Sequence, residues 1–202
     1  MLYFYNPTTQ QRINESILYR RYGATAETAA AKGWYPFSIL PIAYDRTYYT
    51  IEEAGVVSGD MPHTYKLDWT LVPRDLDDIR KDIKTRLAAH RYQIETDGLV
   101  IGGSVVRTDR ESQATVTGAK TFSDIDPAAV VNWKSAEGWT AIDRATIIAL
   151  ASAVGSHVQT CFSRERALAE AIDSAADIEA LQAIDIYAGW PETASINTPV
   201  TV

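Results

Sequence analysis

The sequence predicts an α+β protein in two units: a small antiparallel β unit with one short helix, then an α-rich domain with two short β-hairpins. Three observations carry this. Nine of the eleven tyrosines fall within the first 65 residues, beside turn-rich segments of strand character. Two long apolar stripes of helical period follow, one after Asp75 and one after Asp143. Between them, two pairs of short apolar runs flank tight turns. The predicted boundaries are 1–73 for the aromatic-rich β domain, 75–185 for the α-rich domain and 186–202 for an extended tail.

In the first unit, Thr25–Lys32 is the predicted short helix, with Thr25 as N-cap and Gly33 as the residue that stops it. Trp34 to Pro41 reads as an extended segment whose two prolines argue against a central strand. Residues 47–51 and 64–72 are predicted strands. In the second of these, Tyr65, Leu67, Trp69 and Leu71 alternate with Lys66, Asp68 and Thr70, so one face is apolar. Ser58-Gly59-Asp60-Met61-Pro62 supplies turn chemistry between them.

Pro73 closes that unit, and a long helix opens near Asp75. Asp75, Asp77 and Asp78 suit the positive end of its dipole, and Leu76, Ile79, Ile83, Leu87, His90 and Ile94 form one apolar stripe ending before Gly98. Leu99–Val106 around Gly102-Gly103 predicts a hairpin. Thr108 and Glu111 have capping-box spacing for a helix to about Phe122. A second hairpin is predicted from 130–133 and 138–141, joined through Ser135-Ala136-Glu137. The longest helix runs from Asp143 to about Ser174, with a seam of Ile147, Ala151, Val154, Val158, Cys161, Glu165, Leu168 and Ile172. Such a seam serves a coiled coil or, more often in a mixed domain, packs on its own core. A short helix at 176–184 precedes the Pro-broken tail.

The net charge of −7 is placed unevenly. Residues 1–74 hold seven basic and seven acidic side chains, and residues 75–202 hold twelve and nineteen. Neither half offers the basic surface that phosphate neutralisation demands, so nucleic-acid binding is not expected. Cys161 is the only cysteine, which leaves no internal disulfide and no cysteine-based zinc site. The N-terminus lacks the basic and apolar stretches of a signal peptide, and no unbroken apolar run approaches a membrane span. No membrane insertion is expected.

No phosphate-cradling loop, His-Glu-x-x-His or Gly-x-Ser-x-Gly string occurs. His157 and Cys161, four apart on one helix, have the spacing of a base and a thiol. Cys161 also lies on the apolar seam, where a free thiol behaves as a small hydrophobe, and the structural reading is preferred. His63, His90 and His157 lie in three separate segments, which argues against a shared metal. Glu52-Glu53, Asp75/Asp77/Asp78 and Asp124/Asp126 are carboxylate groupings of the kind glycosidases need. Each has a simpler reading as a solvated, capping or turn group. No catalytic residue, cofactor or metal is expected.

The strings Asp109-Arg110-Glu111-Ser112-Gln113-Ala114, Asn132-Trp133-Lys134 and His157 through Phe162 resemble a domain of unknown function found toward the C-terminus of phage and prophage tail-region proteins. The resemblance covers about residues 75–180. It implies a virion-tail context, with synthesis in the host cytoplasm, and brings no catalytic residues. The expected function is a structural or connecting component of a bacteriophage tail, at the baseplate or tail-fibre attachment, acting through other tail, baseplate or fibre proteins. A tail-fibre assembly chaperone that leaves before maturation is the alternative, and a host-surface glycan-binding module that stacks sugars on the aromatic half is a third reading. Tyr3, Tyr5, Trp34, Tyr35, Tyr48 and Trp190 are the candidate interface residues, because tyrosine and tryptophan join large buried area to a polar tip. Homo-oligomerisation through the 147–172 seam stays open.

Overall fold

A computed structural model describes residues 1–135 and 138–194. The chain divides into two compact units, Met1–Asp75 and Leu76 onward.

The first unit is a five-stranded sheet. Its strands are β1 (Tyr3–Asn6), β2 (Gln11–Asn14), β3 (Tyr35–Ser38), β4 (Tyr49–Ser58) and β5 (Tyr65–Pro73), in the spatial order β2-β1-β3-β5-β4. The sheet is mixed rather than purely antiparallel, because β3 runs parallel to β5. β3 is also central, against the expectation from its prolines. Pro36 is tolerated because the ladder to β5 begins one residue later, at Phe37↔Tyr65, so its missing N–H removes no bond on that side. β4 is longer than expected and bends where the register shifts between Glu53 and Gly55; the latter sits at φ 125°, open to glycine.

The short helix lies elsewhere than predicted. α1 spans Glu15–Tyr22, started by Asn14, whose Oδ1 accepts from Ile17 N–H at 3.0 Å, and stopped by Gly23 at φ 61°. Residues 25–32 form turns and a single 3₁₀ turn at Ala30–Lys32, although Gly33 does stop it as expected. Thr25 bonds Glu27 and Thr28 instead of opening an α-helix. Phe4 and Tyr5, successive on β1, feed separate clusters: Phe4 with Leu18, Ala29 and Trp34, and Tyr5 with Phe37 and Leu67.

The second unit holds α2 (Leu76–Thr96), the hairpin β6 (Leu99–Ile101) and β7 (Ser104–Val106), α3 (Arg110–Ile125), the hairpin β8 (Val131–Ser135) and β9 (Gly138–Ile142), α4 (Arg144–Ser174) and α5 (Ile178–Gln182). These follow the expected order. Ala136 and Glu137 of the predicted second turn lie outside the described residues. α2 and α4 run antiparallel: Arg80 reaches Ala175 O at 2.7 Å, Lys84 reaches Asp173 at 2.6 Å and Arg91 reaches Glu165 at 3.0 Å. α4 begins at the expected N-cap, Asp143, which accepts from Thr146 N–H.

The seam of α4 is internal. Ile147, Val154, Cys161, Leu168 and Ile172 are buried, and α4 packs on α2 and α3. α4 is long and apolar enough by composition to cross a membrane, beyond what a search for unbroken apolar runs reveals. The core position covers part of that apolar character, since 28% of the apolar window is buried within the fold. The expected tail is part of the unit as far as it is described: Ile186 is buried and Ala194 N–H donates to Gly98 O at 3.0 Å. Residues 195–202 of that predicted tail lie outside the described residues.

Candidate functional site

A helix leaves its last four carbonyls without intrahelical partners. At the C-terminal end of α2 one of these carbonyls, and the backbone N–H of Gly98 just beyond the helix, are met by side chains from far along the chain. His157, on α4, places Nε2 at 3.1 Å from Ile94 O; since a carbonyl only accepts, Nε2 carries the proton. Thr108 Oγ1 accepts from Gly98 N–H at 2.9 Å, and Gly98 itself turns the chain at φ 78°. Thr108, expected as the cap of α3, is therefore committed to α2. The cap of α3 is Asp109, whose Oδ1 accepts from Ser112 N–H at 3.0 Å. That backbone bond, helped by Arg107, holds the Asp109 carboxyl below the usual range despite partial burial.

At the penultimate position of α2 sits Glu95, with no exposed surface. A carboxylate at a helix C-terminus opposes the dipole and, when buried, must be paired. Arg91 provides one ion pair. Arg110 Nη1 lies 3.0 Å from Glu95 Oε1, and Gln113 Nε2 donates to the same oxygen at 3.1 Å. Arg91 also bonds Glu165 and lies over the Phe162 ring at 4.6 Å. Two arginines and two carboxylates thus close a neutral clamp joining α2, α3 and α4.

The His157–Cys161 pair sits beside this clamp. The Sγ–Nε2 distance is 3.8 Å, but both side chains are buried. Burial, reinforced by the Glu95 charge, pushes the Cys161 thiol up to about 11, away from the thiolate a nucleophile needs. His157 Nδ1 faces no partner among the described residues. Of the carboxylate groupings, Glu53 pairs with Arg12 at 2.9 Å, Asp77 with Arg80 at 2.6 Å, Asp124 with Lys120 at 2.5 Å and Arg144 at 3.3 Å, and Asp126 closes a turn to Ala128. No group of three metal-ligating side chains converges among the described residues.

The expected interface residues are not brought together. Trp34 and Tyr5 are core residues, at 2% and 9% exposure, because the small β unit needs its largest rings inside. Tyr35 is half-buried against His63 and Tyr65, and Tyr48 is half-buried. Tyr3 is exposed on β1. Trp190 packs edge-on against His90 at 5.3 Å, with Tyr187 at 4.9 Å on the same ring, and its Nε1–H donates to Ile186 O. Among the exposed aromatics outside the candidate set, Trp139 has the greatest exposure of the described residues, at 73%. It stands on the rim of a groove of about 1130 Å³ walled by the two hairpins and floored by α3 and α4. Its position opposite Lys134 was a signal: a tryptophan in a two-stranded hairpin has at most one covered side.

A family model described as a domain of unknown function (DUF4376) matches residues 78–188, more than half of the chain. The chain belongs to the DUF4376 family. The DUF4376 region opens in the first turn of α2 and ends just before Gly189, so it takes in the whole clamp, both hairpins and the groove. No curated protein and no solved structure matches the chain.

Proposed function

We propose that this DUF4376 protein is a non-catalytic structural or connecting component of a bacteriophage tail that acts by protein–protein interaction. The observation that carries the non-catalytic part is the clamp. His157 and Cys161 are buried, Gln113 is half-buried, and Arg110, though half-exposed, is engaged with Glu95, so that these groups serve the packing of the helices. A catalytic site needs such groups to converge on a space that substrate can enter. The tail context rests on the resemblance of the Asp109–Ala114, Asn132–Lys134 and His157–Phe162 strings to phage tail-region proteins; the family description itself names no function.

The deciding experiment is quantitative mass spectrometry of purified particles of the encoding phage. A fixed copy number in multiples of three or six is the expected result. Absence from particles, together with misfolded fibre protein when the gene is deleted, would replace this reading with the assembly chaperone. Loss of adsorption to glycan-stripped hosts, with the chain present in particles, would point to the host-surface module instead.

A further inference from the structure

The groove between the hairpins is built from strand edges. Four consecutive residues of the first hairpin, Ser104-Val105-Val106-Arg107, line it, and Trp139 and Thr140 line the other side. A strand face would contribute every second residue; consecutive residues are what an edge presents. Each hairpin is a sheet of two strands, so β7 and β9 each have one edge with no strand on it among the described residues. In the first hairpin Gly102 and Gly103, at φ 59° and 88°, make a two-residue turn closed by Ile101↔Ser104. The next pair, Val100↔Val105, is then of the non-hydrogen-bonded kind, and the N–H and C=O of Val105 point away from β6. Val105 and Trp139 also leave apolar surface uncovered, at 40% and 73% exposure. An isolated two-stranded hairpin is marginal in water, and a third strand is the usual remedy.

We infer that this groove accepts an extended segment of a partner polypeptide, which adds as a strand to the β7 or β9 edge with uncharged, alternately apolar side chains. Charge selects this occupant. The charged groups of the lining are Arg107, Lys134, Asp109 and Glu111, two of each sign, and Arg107 is already paired to Asp109 at 2.8 Å. A polyanion or polycation finds no net field there, whereas a neutral backbone finds matching donors and acceptors and the Val105 and Trp139 side chains. The inference rests on reading the chain as an interaction protein, and not on the phage context.

The test uses the full chain and a capped ten-residue peptide of alternating valine and threonine with glutamine ends. Hydrogen–deuterium exchange is expected to slow about tenfold in segments containing Val105 and Trp139–Thr140 when the peptide is added, with a blue shift of tryptophan emission. The same peptide N-methylated at alternate residues should give neither, and Val105→Lys should abolish protection while Val100→Lys, on the outer strand, should not. If Val105→Lys unfolds its hairpin, the N-methylated peptide still decides. Equal protection by the methylated peptide would overturn strand addition in favour of plain apolar contact. Protection that grows with protein concentration alone would assign the groove to a second copy, and protection by cellohexaose but not by peptide would assign it to sugar; either sinks the proposal, as does no protection by any probe. Absence of the chain from virions would refute the tail reading and leave this result untouched.

Discussion

Glu95→Ala removes the carboxylate on which Arg91, Arg110 and Gln113 converge. Deleting one member of a buried ion pair costs about 3–5 kcal/mol, because the surviving charge is stranded. Here two of the three partners have relief. The Arg110 side chain is 55% exposed and returns to water, and Gln113 keeps the Thr108 carbonyl at 2.7 Å. Arg91 is the stranded group, at 14% exposure, though it retains Glu165 at 3.0 Å. The cost therefore falls at the lower end, about 3 kcal/mol. Glu95→Gln keeps an acceptor and loses the charge, for about half that, the scale of one charge-assisted hydrogen bond. Replacing Arg91 and Glu95 together by methionine leaves Arg110 to water and takes Arg91 from the partly exposed Glu165 alone, at 22% exposure, so the double variant should recover part of the loss, a coupling of about 1 kcal/mol. Urea unfolding followed by hydrogen exchange in peptides from residues 76–194 reads this unit separately, which matters because two units need not unfold as one. A Glu95→Ala cost below about 1 kcal/mol, or additive single variants, would show that the clamp does not hold the helices.

Three further outcomes follow from the same structure. Cys161 should react slowly with a disulfide reagent at neutral pH and rapidly in urea; because burial raises its folded thiol to about 11, stability should fall as pH rises above the ordinary thiol range, and Cys161→Ala should flatten that fall. Burial lowers the pKa of His90, against an opposing pull from Asp185, so the unfolded chain takes up its proton first and stability is lost as pH drops below about 6.5. Thermal melts between neutral pH and pH 5 check this, and His90→Gln should remove part of the slope. Asn14→Ala should cost the first unit about 1 kcal/mol through loss of the α1 cap, measured by exchange in residues 15–22.

The second unit was legible because its local signals are long and mutually consistent. Asp143 caps α4, a period near 3.6 runs unbroken to Ile172, and Gly-Gly fixes the first hairpin. The first unit was legible only in part. α1 has a cap in Asn14 and a stop in Gly23, but its eight residues include only one fully buried position, Leu18, too few to show a period. The alanine-rich 25–32 segment had strong helix propensity and lost to tertiary placement, since Ala29 and Trp34 must both enter one cluster. Likewise Thr108-x-x-Glu111 matched a capping box, while Asp109, one residue on, takes the cap because Thr108 is drawn to Gly98. The clamp itself was not legible, because it joins residues 91, 95, 110, 113 and 165, whose proximity only the fold creates.

The three strings that carry the family resemblance do different physical work, and that difference directs where function should be sought. Asp109–Ala114 caps α3 and holds Glu95, and His157–Phe162 finishes α2 and fills the seam. The second is accounted for by the fold, so substituting it reports on stability; the first is so only in part, because Asp109, Glu111 and Ser112 also line the groove. Asn132-Trp133-Lys134 is different: it lies on a hairpin strand, and Trp133 and Lys134 line the groove. Lys134 stands over the Trp139 ring at 5.7 Å, a contact that orders the rim without covering it. Lys134→Ala should therefore leave unfolding of the helices unchanged while altering whatever binds the groove. An equal loss of helix stability and binding would instead return this string to the structural class of the other two.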